Sequence, residues 1–250
     1  MPAMSLWIRL VRPILLCLVV LGIGAAVSPV QAQDRFISLG LGTSQTRRSD
    51  LSLRGFPPGT DVTFGGATWR NEAFSGTPYY VIKVGTYFSR RSPWGIEFDY
   101  THSKSIVRTN EEVAVRGLWN GEPIDTRELL NEKVETVRYT NGVNILSVMG
   151  LYRFVQADDR WQSYVGLGPS YYIIWSRTTI DGQERYMRYR GVGWGWQAQA
   201  GVRYRLGNSG ALYAEFKYTS GPGRARTAQD GEIYSTLQTF HQTFGYAFTW

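Results

Sequence analysis

The last stretch of the chain, LQTFHQTFGYAFTW, alternates with a period of two. Phe240, Phe244, Tyr246, Phe248 and Trp250 share one parity, and Thr239, His241, Thr243, Gly245, Ala247 and Thr249 share the other. Successive side chains of a β-strand point to opposite faces, so one face of this segment is apolar and aromatic while its reverse is small or polar. That is the pattern of a strand that turns its apolar side to lipid.

The same alternation recurs upstream. Ile96, Phe98 and Tyr100 share a face, as do Val202 and Tyr204, and Leu212, Phe216 and Tyr218. Charged residues hold the opposite parity: Lys83, Glu97, Asp99, Arg153, Arg203, Glu215 and Lys217, with His241 among the polar residues of the last strand. A basic side chain facing lipid at the bilayer midplane costs about 2–4 kcal/mol, so the charged face is expected inward as a hydrogen-bonded ionic network. Eight strands are predicted, over residues 35–45, 78–88, 94–106, 143–155, 161–175, 193–206, 211–219 and 237–250. No convincing amphipathic helix accompanies them.

The connections alternate in length. Long ones fall at 46–77, 107–142, 176–192 and 220–236, and tight turns at 89–93, 156–160 and 207–210, so the long loops collect at one end. An eight-stranded antiparallel up-and-down transmembrane β-barrel has this asymmetry, with short periplasmic turns and long extracellular loops. About ten residues at roughly 3.3 Å each, tilted by about 40°, rise roughly 25 Å, the height of its apolar band. Aromatic residues mark both rims: Phe88, Trp94, Phe154, Trp161, Tyr204 and Trp250 on the periplasmic side, and Tyr80, Tyr100, Trp175, Trp194 and Phe240 on the outer side. If the tight turns pair Phe88 with Trp94 and Leu206 with Leu212, Lys83 comes opposite Asp99 and Arg203 opposite Glu215.

The other end of the chain fits export. Arg9 and Arg12 precede an apolar run over residues 14–27, and Val30-Gln31-Ala32 offers a small-residue cleavage site. Residues 1–32 therefore read as a cleaved signal peptide and 33–250 as one outer-membrane barrel domain. Loss of the two arginines lowers the net charge from +7 to +5. A basic chain ordinarily raises nucleic acid as a partner, but an exported one does not meet it, and phosphorylated lipid headgroups are the better anionic partner. Cys17, the single cysteine, lies inside the leader, which leaves the mature chain without a disulfide.

An eight-stranded barrel is just wide enough for its own side chains, so a closed polar lumen is expected and a general diffusion pore is not. A soluble lipocalin-like periplasmic binding barrel is the alternative with the same strand count, but it would place aromatics inside and charges outside. Gly191-Val192-Gly193-Trp194-Gly195 lacks the strand-to-helix context of a phosphate loop and reads as close strand packing. By parity His241 points into the lumen, where imidazole can hydrogen-bond within the polar core. His102 and Lys104 follow outward-facing Tyr100 and are expected to project from the wall at the outer rim, close to Asn141 and Asn144. There a lipid A phosphate or sugar would meet them. The first loop carries strand-like residues over 61–70 that would either prolong the barrel or fold over its mouth. The second loop mixes seven acidic with five basic residues between Arg108 and Arg138, a solvated hairpin in which no spacing forms a calcium motif.

A terminal strand with Phe248 and closing on Trp250 resembles the assembly signal of bacterial outer-membrane barrels, which implies the barrel assembly machinery as a partner. The segments DVTFGGATW (61–69), PYYVIKVGTYF, WGIEFDYTHSK and TNGVNIL further resemble a family of small outer-membrane barrels of alphaproteobacteria that includes the lipid A oxidase. This resemblance covers the first four strands; beyond them only generic barrel pattern remains. It implies oxygen-dependent oxidation of the proximal glucosamine of lipid A to aminogluconate. The family's Thr-His-x-Lys matches Thr101-His102-Ser103-Lys104, and Asn144 lies in the matching Asn-Ile-Leu, so His102, Lys104 and Asn144 are the candidate catalytic residues.

The main expectation is a monomeric surface barrel that contacts outer-membrane lipids and lipid A and needs no cofactor. The lipid A oxidase is its alternative. An oxidase would call for an oxygen-activating divalent metal held by histidine and carboxylates, and with His102 outside and His241 inside the sequence offers no two-histidine centre. A lipid A acyl hydrolase would need a serine beside the histidine, but Ser103 points to the other face and Ser105 is displaced by three.

Overall fold

The computed structural model describes residues 34–89, 91–154, 160–207 and 209–250. The expected leader over 1–32, with Cys17 inside it, lies outside these residues, as does most of the turn expected over 156–160. In chain order the strands are β1 (Asp34–Thr46), β2 (Ser49–Phe56), β3 (Thr60–Ala67), β4 (Trp69–Arg70), β5 (Tyr80–Tyr87), β6 (Trp94–Val107) and β7 (Glu112–Trp119). They continue with β8 (Glu122–Leu129), β9 (Thr136–Arg153), β10 (Trp161–Ile180), β11 (Gln183–Arg205), β12 (Gly210–Arg226) and β13 (Glu232–Thr249). A single 3-10 turn, Leu130–Glu132, interrupts them.

Eight strands close into a ring in the order β1, β5, β6, β9, β10, β11, β12, β13, every neighbour antiparallel, and β13 returns to β1 from Phe36 opposite Thr249 to Thr46 opposite Thr239. Closure leaves the ring without a free edge inside the membrane, where an unpaired backbone amide or carbonyl would cost several kcal/mol. The outer wall is apolar over this ring: Leu41, Phe98, Leu167, Phe216 and Phe244 are all more than half exposed. Aromatic pairs bound the band, Trp161 against Tyr204 at the turn end and Trp196–Tyr218–Phe240 at the loop end. These are the interface anchors that such an apolar band needs.

Lys83 stands opposite Asp99, and the Phe88 amide donates to the Trp94 carbonyl at 3.1 Å, as the turn length implies. The β11–β12 register differs from expectation. Arg203 faces Tyr213, while Glu215 faces Gly201. The Leu206 amide closes on the Gly210 carbonyl at 2.8 Å, which makes this hairpin two residues tighter. A slip of two leaves every side chain on its original face, so the alternation is blind to it.

Five strands also run well past their expected ends. β9 starts at Thr136, β10 ends at Ile180, β11 starts at Gln183, and β12 and β13 meet across Arg226 and Glu232. The spans expected as loops at 176–192 and 220–236 are therefore largely hairpin strands. Their alternation persists with its sense inverted. In β12 the buried series Glu215, Lys217, Thr219 continues as Gly221, Gly223, Ala225, while the outer series Leu212, Phe216, Tyr218 ends in Arg224 and Arg226. Apolar residues face lipid below this point and face inward above it, where water is outside.

The first loop prolongs the wall. β13 pairs with β2 across residues 232–235, β2 with β3, β3 with β7, and β7 with β8, while β4 joins β6. The inner face of this extension is an apolar core that includes Leu51, Leu53, Val62, Phe64, Val115 and Ile174, each fully buried. The glycines of 191–195 lie inside β11: a side chain at Gly191 would strike the Tyr171 hydroxyl, and one at Gly195 the Ser220 carbonyl. They permit close strand approach, with no helix following.

Candidate functional site

Inside the membrane-spanning ring the lumen is filled. Lys83, Glu97, Asp99, Arg153, Arg203, Glu215, Lys217 and His241 are all buried. Lys83 bonds to Glu215 and lies 3.4 Å from Glu97 and 3.5 Å from Asp99, Lys217 bonds to Asp99, and Arg203 approaches Glu97 at 3.7 Å. The central cluster thus sets three cations against three carboxylates. Amides and hydroxyls complete it: Gln199 donates to Glu97 at 2.8 Å, Tyr164 to Glu215 at 2.8 Å and Thr101 to Asp99 at 2.7 Å. Paired in this way, buried charge is tolerated; removing one partner leaves the other uncompensated. Below the cluster, Phe36, Tyr87, Met149 and Leu151 plug the turn end, with the guanidinium of Arg203 3.8 Å above Phe36 and that of Arg153 4.0 Å above Tyr87. Above it His241 Nε2 meets the Thr219 hydroxyl at 3.0 Å.

At the outer rim His102, Lys104 and Asn144 keep the outward parity of Tyr100 but do not project from the wall. His102 is fully buried, and Lys104 and Asn144 nearly so. The reason is distant in sequence: Tyr80 covers His102, and residues 72–76 lie over Lys104 and Arg138. Lys104 donates to the Ser75 carbonyl, Arg138 approaches Glu72 at 3.4 Å, and the Tyr80 ring stacks on His102 at 5.0 Å. Beneath this cover His102 Nδ1 and the Tyr100 hydroxyl both meet Asn144 Oδ1, at 2.9 and 2.7 Å. The structure brings His102 and Asn144 together, whereas Lys104 is drawn to the covering segment. Asn141 contributes only its carbonyl, which accepts from the Tyr189 hydroxyl at 2.7 Å. Ser103 and Ser105 point inward, Ser105 to Thr46 at 2.8 Å. His102 and His241 stand on opposite faces of the wall, and among the described residues no group of three histidine, cysteine or acidic side chains converges on a metal position. The donor set does not fit an oxygen-activating metal.

An open cavity of about 320 Å³ lies on the outer wall, lined by Thr43, Gln45, Asn71, Arg70, Arg108, Phe240 and Gln242 with neighbouring backbone. Phe240, which packs on Tyr218 in the outer aromatic band, is one of its lining residues. Arg70 is placed by the short ladder of β4 on β6, where it faces Ile106. Arg108 follows the last residue of β6, and its amide donates to the Thr68 carbonyl at 2.9 Å. Asn71 ties this corner to β1 by donating to the Ser44 carbonyl. Each arginine has one nearby carboxylate, Glu72 at 2.7 Å and Glu111 at 3.9 Å, and their side chains remain 42% and 50% exposed. Sequence reasoning missed both. The available signal was a basic residue within two positions of a predicted strand end, just beyond the outer aromatic band.

A family model described as an outer membrane protein β-barrel domain matches residues 15–248. The chain belongs to this family. It is accordingly an outer-membrane protein, with its apolar band in the bilayer and its long connections outside the cell. Among solved structures this outer-membrane barrel is similar to Neisserial surface protein A, at 9% identity, covering 86% of this chain and 96% of that one with a TM-score of 0.41. The N-terminal β-barrel domain of Pseudomonas aeruginosa OprF matches at 10% identity over 88% and 98%, with a TM-score of 0.40. Ail, the attachment invasion locus protein of Yersinia pestis, matches at 12% identity over 88% and 100%, with a TM-score of 0.35. No curated protein matches the chain. The Arg70–Arg108 cavity adjoins the outer aromatic band through Phe240.

Proposed function

We propose that this barrel is a surface protein that holds the phosphorylated headgroup of lipid A against its outer wall, in the cavity between β13, β1 and β4. The observation that supports this reading is that Arg70 and Arg108 line one cavity together with Phe240. A guanidinium presents a planar fork that matches phosphate oxygens. Asn71, Gln45 and Gln242 offer amides to sugar hydroxyls, and Phe240 continues the apolar wall beneath, where acyl chains lie. Cationic residues at this level are attracted to anionic lipid.

The test is to purify R70A/R108A from outer membranes in mild detergent and to quantify retained lipopolysaccharide per barrel. Retention falls several-fold with the folded, heat-modifiable band unchanged; equal retention overturns the reading. The oxidase alternative draws less support, because His102 and Asn144 are buried, with the Tyr80 ring stacked on His102 and no open face toward a sugar. Lipid A from a deletion strain keeps its mass under the surface-protein reading, whereas a difference of one oxygen on the proximal sugar would favour the oxidase.

A further inference from the structure

The barrel wall parts between β11 and β12. Their ladder runs from Arg205 opposite Ala211 up to Trp196 opposite Ser220 and stops there. Above that point β11 stays paired only with β10, up to Gln183, and β12 only with β13, up to Arg226. The cause is local. Gly193 has a φ of +137°, the β10 register shifts between Gly193 and Gly191, and Pro222 stands across from Gly193. A left-handed glycine next to a bulge turns the backbone away, and proline has no amide hydrogen for a ladder. Two strand edges therefore face each other without pairing.

Three arginines converge on the opening. A cleft of about 40 Å³ is lined by Arg190, Arg224, Arg226 and Glu232, over a base of Met187 and Val192. One carboxylate against three guanidinium groups leaves the cleft with two positive charges in excess. That carboxylate is already engaged: Glu232 accepts from the Tyr234 hydroxyl and from Arg226 Nε at 3.3 Å. The tyrosine hydroxyl, then Arg226, hold it below the ordinary carboxylate range. Arg224 lies over the Tyr234 ring at 5.3 Å, and Arg190 acts on Glu232 through its charge. The cleft opens on the outward side of β12, beyond Tyr218, so it stands above the aromatic band and outside the lipid A pocket.

We infer that this cleft is a second anion site, which takes a phosphate or sulfate ester carried on a saccharide. The fork of each guanidinium fits the tetrahedral oxyanion, and the volume has room for about one such group. Like-charged side chains held around an opening with a single engaged counter-charge are stabilised by a multiply charged ligand. Two sources carry this chemistry at that height: a phosphorylated core sugar of neighbouring lipopolysaccharide, or a soluble sulfated or phosphorylated polysaccharide.

The test uses the intact barrel in phosphatidylcholine nanodiscs titrated with dextran sulfate, with neutral dextran as the blank. Dextran sulfate binds, and R190A/R224A weakens it by about tenfold or more, the scale of losing two charge-assisted contacts. R116A/R127A removes the same charge from the β7–β8 hairpin and leaves binding within about twofold; if it matches the cleft variant, the attraction is only diffuse charge and the inference fails. Failure of dextran sulfate to bind in nanodiscs that lack lipopolysaccharide also overturns it. Competition by lipopolysaccharide, lost when its phosphates are removed, assigns the cleft to a membrane neighbour; undiminished binding beside lipopolysaccharide assigns it to a soluble polymer. Because R70A/R108A is scored by lipid retention and R190A/R224A by dextran sulfate, the two sites can fail separately.

Discussion

One continuous sheet encloses two unlike interiors. Within the membrane the wall surrounds Lys83, Glu97, Asp99, Glu215 and Lys217; a few residues higher the same strands surround Leu53, Phe64, Ile174 and Ile233. The contrast follows from what lies outside. Lipid accepts Phe216 and Phe244 on the exterior, so the polar residues have only the lumen in which to pair. Water accepts Arg224 and Arg226, so the apolar residues turn inward. The interior chemistry is thus the complement of the solvent at each height. The crossover falls near Tyr218 and Phe240, at the outer aromatic band.

Four substitutions probe that contrast. The largest effect is expected from Lys83→Met, which leaves Glu97 and Glu215 without their shared cation. It should cost about 3–5 kcal/mol, felt by the whole barrel as a lower urea midpoint in lipid vesicles; an unchanged midpoint would mean that the network is solvated. Leu53→Ala in the extension should cost on the order of 2–5 kcal/mol, but locally. Residues of β2, β3 and β7 should exchange their amide hydrogens faster while the ring keeps its protection. Concerted loss of both regions would show that they form one cooperative unit. The smallest but sharpest comparison puts lysine at two outward positions of β13. Phe244→Lys faces acyl chains and should cost about 2–4 kcal/mol, whereas Thr236→Lys faces water and should stay within about 0.5 kcal/mol. Similar costs would place the inversion elsewhere.

Much of the ring was legible because its signal is local. Each pair i and i+2 reports its own face, so the inward set from Lys83 to His241 and the outward set ending in Phe248 and Trp250 could be assigned without knowing any partner strand. The extension was less legible for the same reason. A strand recognised by apolar residues outside and polar ones inside ends where that sense reverses, so β9 to β13 were all expected to stop at the aromatic band. The rim was hardest. Parity gave His102, Lys104 and Asn144 their outward direction, but nothing near them in sequence announces that Tyr80 and residues 72–76 cover them. The chain leading into this cover sets Arg70 and Asn71 beside β1, and with Arg108 they form the cavity that replaces His102 as the accessible feature of the wall.

The sequence by itself determined the sidedness of every membrane strand, and with it the eight-stranded barrel and its ionic interior, because the period of two needs only neighbouring residues. Only the tertiary structure decided the two-residue register that gives Arg203 to Glu97 instead of Glu215, the cover over His102, and the parting of β11 from β12. A shift of two preserves parity, and covering or separating a strand depends on segments far away in the chain, so alternation carries no trace of either.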